Sequence, residues 1–262
     1  MATGMATNGI IPVVPIYASF YQRGYDQVIH DVCMQNLHVV LCSDRAGVVG
    51  ADGETHQGIL DLSFFNIVPK LVIMAPKNFK ELEDMLEFAI DYNGPIYIRY
   101  PRGGEESTKI DKEEKIELGK AEKLAEGNDY TIVALGKMVQ RAYEISNILK
   151  KEGIGVGVIN ARFLKPFDEE NIISWIGNSK VITIEDNIIK GGLGSTVLEA
   201  LKKYHKTNEL KMLGYPDEFI KQGTVDEIEK DYKLDVEKNN NYNENHKPVS
   251  TSIIQTVERI MS

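Results

Sequence analysis

Residues 71–100 read LVIMAPKNFKELEDMLEFAIDYNGPIYIRY. Leu71 to Ala75 is a short apolar run of the kind that fills a buried strand. Asn78 follows where a side-chain oxygen can cap the first amides of a helix. Leu82, Met85, Leu86, Ala89 and Ile90 then recur at three- and four-residue spacing, one apolar stripe on a helix. Asn93 and Gly94 end it, and Ile96 to Tyr100 is a second apolar strand running into Pro101, Arg102 and Gly103. A strand, a one-sided helix and another strand predict a parallel α/β unit.

The same rhythm extends upstream. Pro12 to Ala18 reads as the first strand, Tyr25 to Asn36 as a helix burying Val28, Ile29, Val32 and Cys33, and His38 to Cys42 as a strand that stops at Ser43 and Asp44. Arg45 to Gly58 is irregular. Downstream, between Gly104 and Leu118, apolar residues thin out into a solvated charged connection. Beyond it the alternation resumes, with strands at Thr131–Leu135, Gly155–Ile159, Val181–Glu185 and Lys211–Leu213, and helices at Met138–Lys151, Glu169–Ile176 and Gly194–Tyr204. The expected architecture is two consecutive α/β domains with mostly parallel sheets, over residues 1–104 and 119–262. Lys238 to Lys247 is an Asn-rich polar run expected to be a loop, and Ser252 to Met261 a terminal amphipathic helix.

The chain has 262 residues, 42% hydrophobic and 26% charged, enough for one large or two small cores. Its formal net charge of -9 repels phosphate backbones and argues against nucleic-acid binding, so any anion site is local. Met1 to Tyr21 is apolar but lacks a basic flank and is interrupted by Pro12 and Pro15, which fits neither a signal peptide nor a membrane span. Cys33 and Cys42 read as buried reduced thiols of a cytoplasmic protein.

Ligands of open α/β sheets gather beyond the carboxyl ends of the strands. Those positions hold Tyr17, Ser19, Phe20, Gln22 and Arg23 after the first strand, Asp44, Arg45, Asp52 and His56 after the second, and Arg99 and Arg102 at the last. Guanidinium groups match phosphate or carboxylate oxygens two at a time. The same arginines can instead pair with Asp26, Asp44 and neighbouring carboxylates, and spacing does not separate these uses. His56 lies in GADGETHQG, residues 50–58, whose glycines imply a sharply turning loop. An imidazole there suits proton transfer or oxyanion binding near neutral pH, or a structural hydrogen bond. Asp52 and His56 have no partners at metal-ligand spacing. Gly191 to Ser195 (GGLGS) precedes a helix in the manner of a phosphate cradle, but it fits neither the dinucleotide fingerprint nor a P-loop, so a tight strand-to-helix turn is expected.

Three runs, YASFYQRGYDQ at 17–27, DRAGVVGADGETHQG at 44–58 and RYPRG at 99–103, closely resemble the pyrimidine-binding domain of the 1-deoxy-D-xylulose-5-phosphate synthase family. Ala161 to Phe167, Glu185 to Ser195 and Gly214 to Thr224 resemble its transketolase-like C-terminal domain. The resemblance implies condensation of pyruvate with glyceraldehyde 3-phosphate, with loss of carbon dioxide, on thiamine diphosphate with Mg2+, in a cytoplasmic homodimer. It also implies that Phe20 packs on the aminopyrimidine with Arg23 beside it. Tyr17, Arg45 and Arg102 would hold the acceptor's phosphate, and Asp52 and His56 would stand at the reacting end.

Family members also carry a Glu in a Glu-Gln-His run and an N-terminal domain with the diphosphate and metal ligands, which have no counterpart in these residues. The expectation is therefore a fragment inactive alone. The alternatives are one subunit of a split thiamine-diphosphate enzyme, or a non-catalytic module binding a phosphometabolite or a protein.

Overall fold

The computed structural model describes residues 1–104, 110, 114–236, 252 and 254. A short helix α1 (Ala2–Ala6) leads into β1 (Val13–Tyr17) and a 3-10 turn at Ala18–Gln22. The helical segment α2 (Tyr25–Gln27) passes into a π-helical stretch, Val28–Cys33, that buries Val28, Val32 and Cys33. Then come β2 (Val40–Asp44), 3-10 turns at Gly50–Asp52 and Glu54–His56, α3 (Asp61–Asn66), β3 (Val72–Met74), α4 (Phe79–Asp91) and β4 (Ile96–Arg99). The oxygen of Asn78 accepts the Glu81 amide at 2.8 Å and so caps α4 as its sequence predicts.

The second half contains β5 (Glu122–Ala125), β6 (Tyr130–Ala134), α5 (Met138–Lys151), β7 (Val156–Asn160), β8 (Phe163–Lys165), α6 (Glu169–Ile176), β9 (Lys180–Ile188), α7 (Leu193–Lys203), β10 (Leu210–Tyr215) and α8 (Val225–Asp231). Two five-stranded sheets result, ordered β1-β2-β4-β3-β8 and β10-β9-β6-β7-β5. All pairings are parallel except β3 with β8 and β5 with β7. Strands β2, β3, β4, β6 and β7 are buried nearly throughout, as strands covered by helices on both faces must be.

The halves interlock. Strand β8 belongs to the second half by sequence, yet it pairs with β3 of the first sheet, Met74 opposite Phe163. Lys165 Nζ reaches on to the carbonyls of Asn66 and Val68 at 2.9 and 2.6 Å, closing the end of α3. Beneath this crossing lies a buried ionic seam. Lys77 Nζ lies 3.1 Å from Glu81 and 2.8 Å from Glu122, and Arg162 Nε donates to Glu81 at 2.8 Å. Asn160 donates to both carboxylates. Two cations thus meet two carboxylates, so burial leaves no net charge.

The connection between the halves differs from the solvated tether expected of it. Ile110 and Ile116 are buried, and the Glu114 carbonyl accepts Arg162 Nη2 at 3.0 Å. Residues 105–109 and 111–113, the Asn-rich run at 238–247 and nearly all of the expected terminal helix lie outside the described residues. Of that helix, Ser252 and Ile254 are described, and both are buried. No helix among the described residues is long and apolar enough to cross a membrane.

Candidate active site at the carboxyl edge of the first sheet

The register of the first sheet sets Tyr17 opposite Asp44 and Ser43 opposite Arg99, so their following loops emerge on one edge. The 3-10 turn after β1 sends alternate side chains opposite ways. Tyr21 turns inward, its hydroxyl donating to the Val14 carbonyl at 2.8 Å, while Phe20 stays 49% exposed. Its ring lies parallel to Tyr17, with centroids 5.2 Å apart and 7° between planes. His56 approaches both rings edge-on, 6.4 Å from Tyr17 and 5.5 Å from Phe20. Its Nδ1 is 2.9 Å from Thr55 Oγ1.

A charged rim adjoins these rings. The Arg45 guanidinium carbon sits 4.0 Å over the Tyr17 ring centroid, a cation held against an aromatic face. Arg45 has φ of 55°, a left-handed conformation uncommon for a side chain of this size. It pairs with Asp44, and its Nε lies 3.8 Å from Asp52. Arg102 Nη1 donates to the other oxygen of Asp52 at 2.7 Å. One carboxylate thus stands between two guanidinium groups.

Six of the seven predicted site residues, Tyr17, Phe20, Arg45, Asp52, His56 and Arg102, therefore converge. Arg23 is exposed and takes part in none of these contacts, and Asp26 pairs with His30 rather than with an arginine. Arg99 does not belong to the rim, despite ending its strand. It is buried, binds both oxygens of Asp61 at 2.9 and 3.1 Å, and donates to the carbonyls of Gly58 and Asp186. It braces the site from beneath, together with Tyr97, whose hydroxyl also donates to Asp61.

The glycine run before α7 is no free anion cradle. Glu185 takes the amides of Leu193 and Gly194, each at 2.8 Å, so the helix N-terminus is already filled by a carboxyl group of this chain. Burial pushes that carboxyl up to about 8, against the lowering pull of the two amides and of Arg99. Cys33 and Cys42 are buried and unpaired. Among the described residues no group of three or more His, Cys, Asp or Glu side chains could hold a metal ion.

For thiamine diphosphate, the observation that bears on fit is the exposed, flat face of Phe20 beside Tyr17, an apolar shelf suited to an aminopyrimidine ring. Gln57 and Asp186 hold the loop carrying His56, yet neither stands among the residues the sequence points to. Gln57 lay within the loop motif, but nothing in the sequence brings Asp186 near it.

Residues 1–104 match the transketolase pyrimidine binding domain, and residues 119–238 match the transketolase C-terminal domain. A 1-deoxy-D-xylulose-5-phosphate synthase from Clostridium botulinum (strain Alaska E43 / Type E3) is 47% identical over 90% of this chain and 38% of its own length. Another from Halothermothrix orenii is 47% identical over 90% of this chain and 37% of its own. The chain thus spans little more than a third of the length of these relatives. Among solved structures, "Split gene transketolase, inactive beta4 tetramer" superimposes with a TM-score of 0.82 at 30% identity, covering 90% of this chain and 76% of that one. A transketolase from Campylobacter jejuni shares the fold, with a TM-score of 0.66 at 18% identity over 88% of this chain and 35% of that one. The chain belongs to the transketolase-like family that includes the 1-deoxy-D-xylulose-5-phosphate synthases, and it corresponds to their pyrimidine-binding and C-terminal domains.

Proposed function

We propose that this chain supplies the acceptor-binding part of an enzyme that condenses pyruvate with glyceraldehyde 3-phosphate, releasing carbon dioxide and forming 1-deoxy-D-xylulose 5-phosphate. The observation that carries this reading is the convergence of Arg45 and Arg102 on Asp52 beside the Tyr17, Phe20 and His56 rings. Tyr17, Arg45 and Arg102 hold the acceptor's phosphate, the guanidinium groups meeting its oxygens as they now meet the carboxylate. Asp52 and His56 serve the reacting end. Thr55 occupies Nδ1 of His56, which leaves Nε2 to exchange a proton with a substrate oxygen. Phe20 takes the aminopyrimidine of thiamine diphosphate, with Arg23 alongside. When bound with Mg2+, that cofactor supplies the electron sink that decarboxylation of pyruvate requires.

We propose further that these residues do not turn over substrate alone, and that the parent is a cytoplasmic homodimer. The similar split-gene transketolase is an inactive β4 tetramer, which supports the first point and equally favours a reading of this chain as one subunit of a split enzyme. Buried free cysteines suit a reducing compartment.

The test is reconstitution. The chain is mixed with the complementary N-terminal portion of the Clostridium botulinum relative, thiamine diphosphate and magnesium, and carbon dioxide release from pyruvate and glyceraldehyde 3-phosphate is followed. Release is expected from the mixture and not from the chain alone. A folded mixture that stays silent overturns the reaction assigned, and release by the chain alone overturns its dependence on a second part.

A further inference from the structure

The loop that carries Asp52 and His56 closes on itself between Gly47 and Gly58, which exchange two backbone hydrogen bonds of 2.7 Å. Between those ends it has only two three-residue 3-10 turns, so fixing it costs backbone entropy that contacts from outside must offset. The contacts that hold it come largely from the second half of the chain. Asp186 accepts the Val48 amide at 3.3 Å. Gln57 accepts the Val49 amide at 2.8 Å and donates to the Lys221 carbonyl at 3.3 Å, joining the loop's two arms to the second half. Gln222 donates to the Ala51 carbonyl at 3.2 Å.

The fit is close. Gly47 has φ of 81°, and a Cβ there would lie 1.7 Å from an Asp186 carboxylate oxygen, so loop and carboxylate are packed without room for a side chain. Asp186 is itself fixed. Lys137 Nζ lies 2.8 Å from it and 3.1 Å from Glu229, which in turn binds Arg141 at 2.6 Å. Burial works to lower the Lys137 ammonium, but the two carboxylates outweigh it and keep the group charged.

We infer that Gln57 and Asp186 are positioning residues, through which the C-terminal half fixes Asp52 and His56 against Tyr17 and Phe20. The consequence for ligand binding rests on the reading of that rim as the acceptor site, whereas the consequence for loop order does not. Side chains that bind or transfer protons must be held within about 0.5 Å of their working geometry, and the loop's own structure is limited to two three-residue 3-10 turns.

The test uses the whole chain with Gln57→Ala and Gln57→Glu. The first removes both contacts. The second keeps an acceptor for the Val49 amide and sets an oxygen against the Lys221 carbonyl. Amide hydrogen exchange is measured at residues 47–58 and, as a control, at 130–134, while calorimetry follows binding of glyceraldehyde 3-phosphate. Gln57→Ala is expected to raise loop exchange roughly tenfold, the scale of one or two lost hydrogen bonds, with the control unchanged and the ligand bound less tightly. Gln57→Glu should give the same loss of binding if the tether to the second half is what matters. Unchanged loop exchange, exchange raised equally in the control, or tight binding despite a loosened loop overturns the inference. If the unaltered chain binds no glyceraldehyde 3-phosphate, the acceptor-site reading falls, and the exchange measurements still judge the tether.

Discussion

Arg162, in the seam between the sheets, is 2% exposed and reaches Glu81, Glu122 and a backbone carbonyl, whereas the side chain of Arg102 is 50% exposed and meets one carboxylate. Around Arg162 every carboxylate has a cation and every cation a carboxylate, together with Lys77 and Asn160. Around Arg102 and Arg45 two cations likewise meet two carboxylates, Asp52 and Asp44, but these groups stand at a rim where their side chains are 24–50% exposed. The same side chain thus serves the fold where its donors are buried, and suits a ligand where they stand at an open rim.

The seam should show the greatest loss. Arg162→Ala leaves Glu81 and Glu122 buried with one cation fewer, and should cost about 3–5 kcal/mol of stability. Urea unfolding measures it, and a loss below about 1 kcal/mol would show that the seam does not hold the halves together.

The next effect is spread over pH. Glu185 has its carboxyl raised from 4.5 to about 8, chiefly by burial, so the folded chain keeps a proton that the unfolded chain releases. Its contribution is complete below the unfolded value and is lost as pH rises through the folded one. Glu185→Gln should therefore flatten the fall in stability between pH 4.5 and about 8, measured as unfolding midpoints across that window. Parallel curves for both proteins would mean that Glu185 is ionised throughout.

The smallest effect sharpens the contrast. Arg102→Ala should change stability by no more than about 1 kcal/mol, because its ion pair with Asp52 is exposed to solvent. A larger loss would move Arg102 into the class of Arg162.

This contrast was only partly legible in the sequence. Helices α5 and α6 have the bounds their periodicity predicts, and the strands fall within a few residues of theirs. Strand β8 was missed because three residues carry no period, and its pairing with β3 is a tertiary event between distant segments. Helix α3 was missed because its six residues follow an irregular loop, and β5 because it begins with a glutamate whose burial depends on Lys77 and Arg162. The Tyr17, Phe20 and His56 cluster follows from strand ends meeting at one edge. Arg99 looked like its neighbours for the same reason, and only Asp61, from α3, shows that it is structural. The glycine run before α7 likewise depended on Glu185, whose approach to the amides is a matter of the folded β9 end.

A calorimetric titration of glyceraldehyde 3-phosphate, and separately of unphosphorylated glyceraldehyde, into the chain and its Arg102→Ala variant tests whether the rim arginines hold a phosphate. Loss of a hydrogen-bonded charge should weaken binding of the phosphorylated aldehyde by about 1.5–3 kcal/mol and leave the unphosphorylated one nearly unchanged. Equal weakening of both, or of neither, would contradict the phosphate cradle and return Arg45 and Arg102 to the service of the fold.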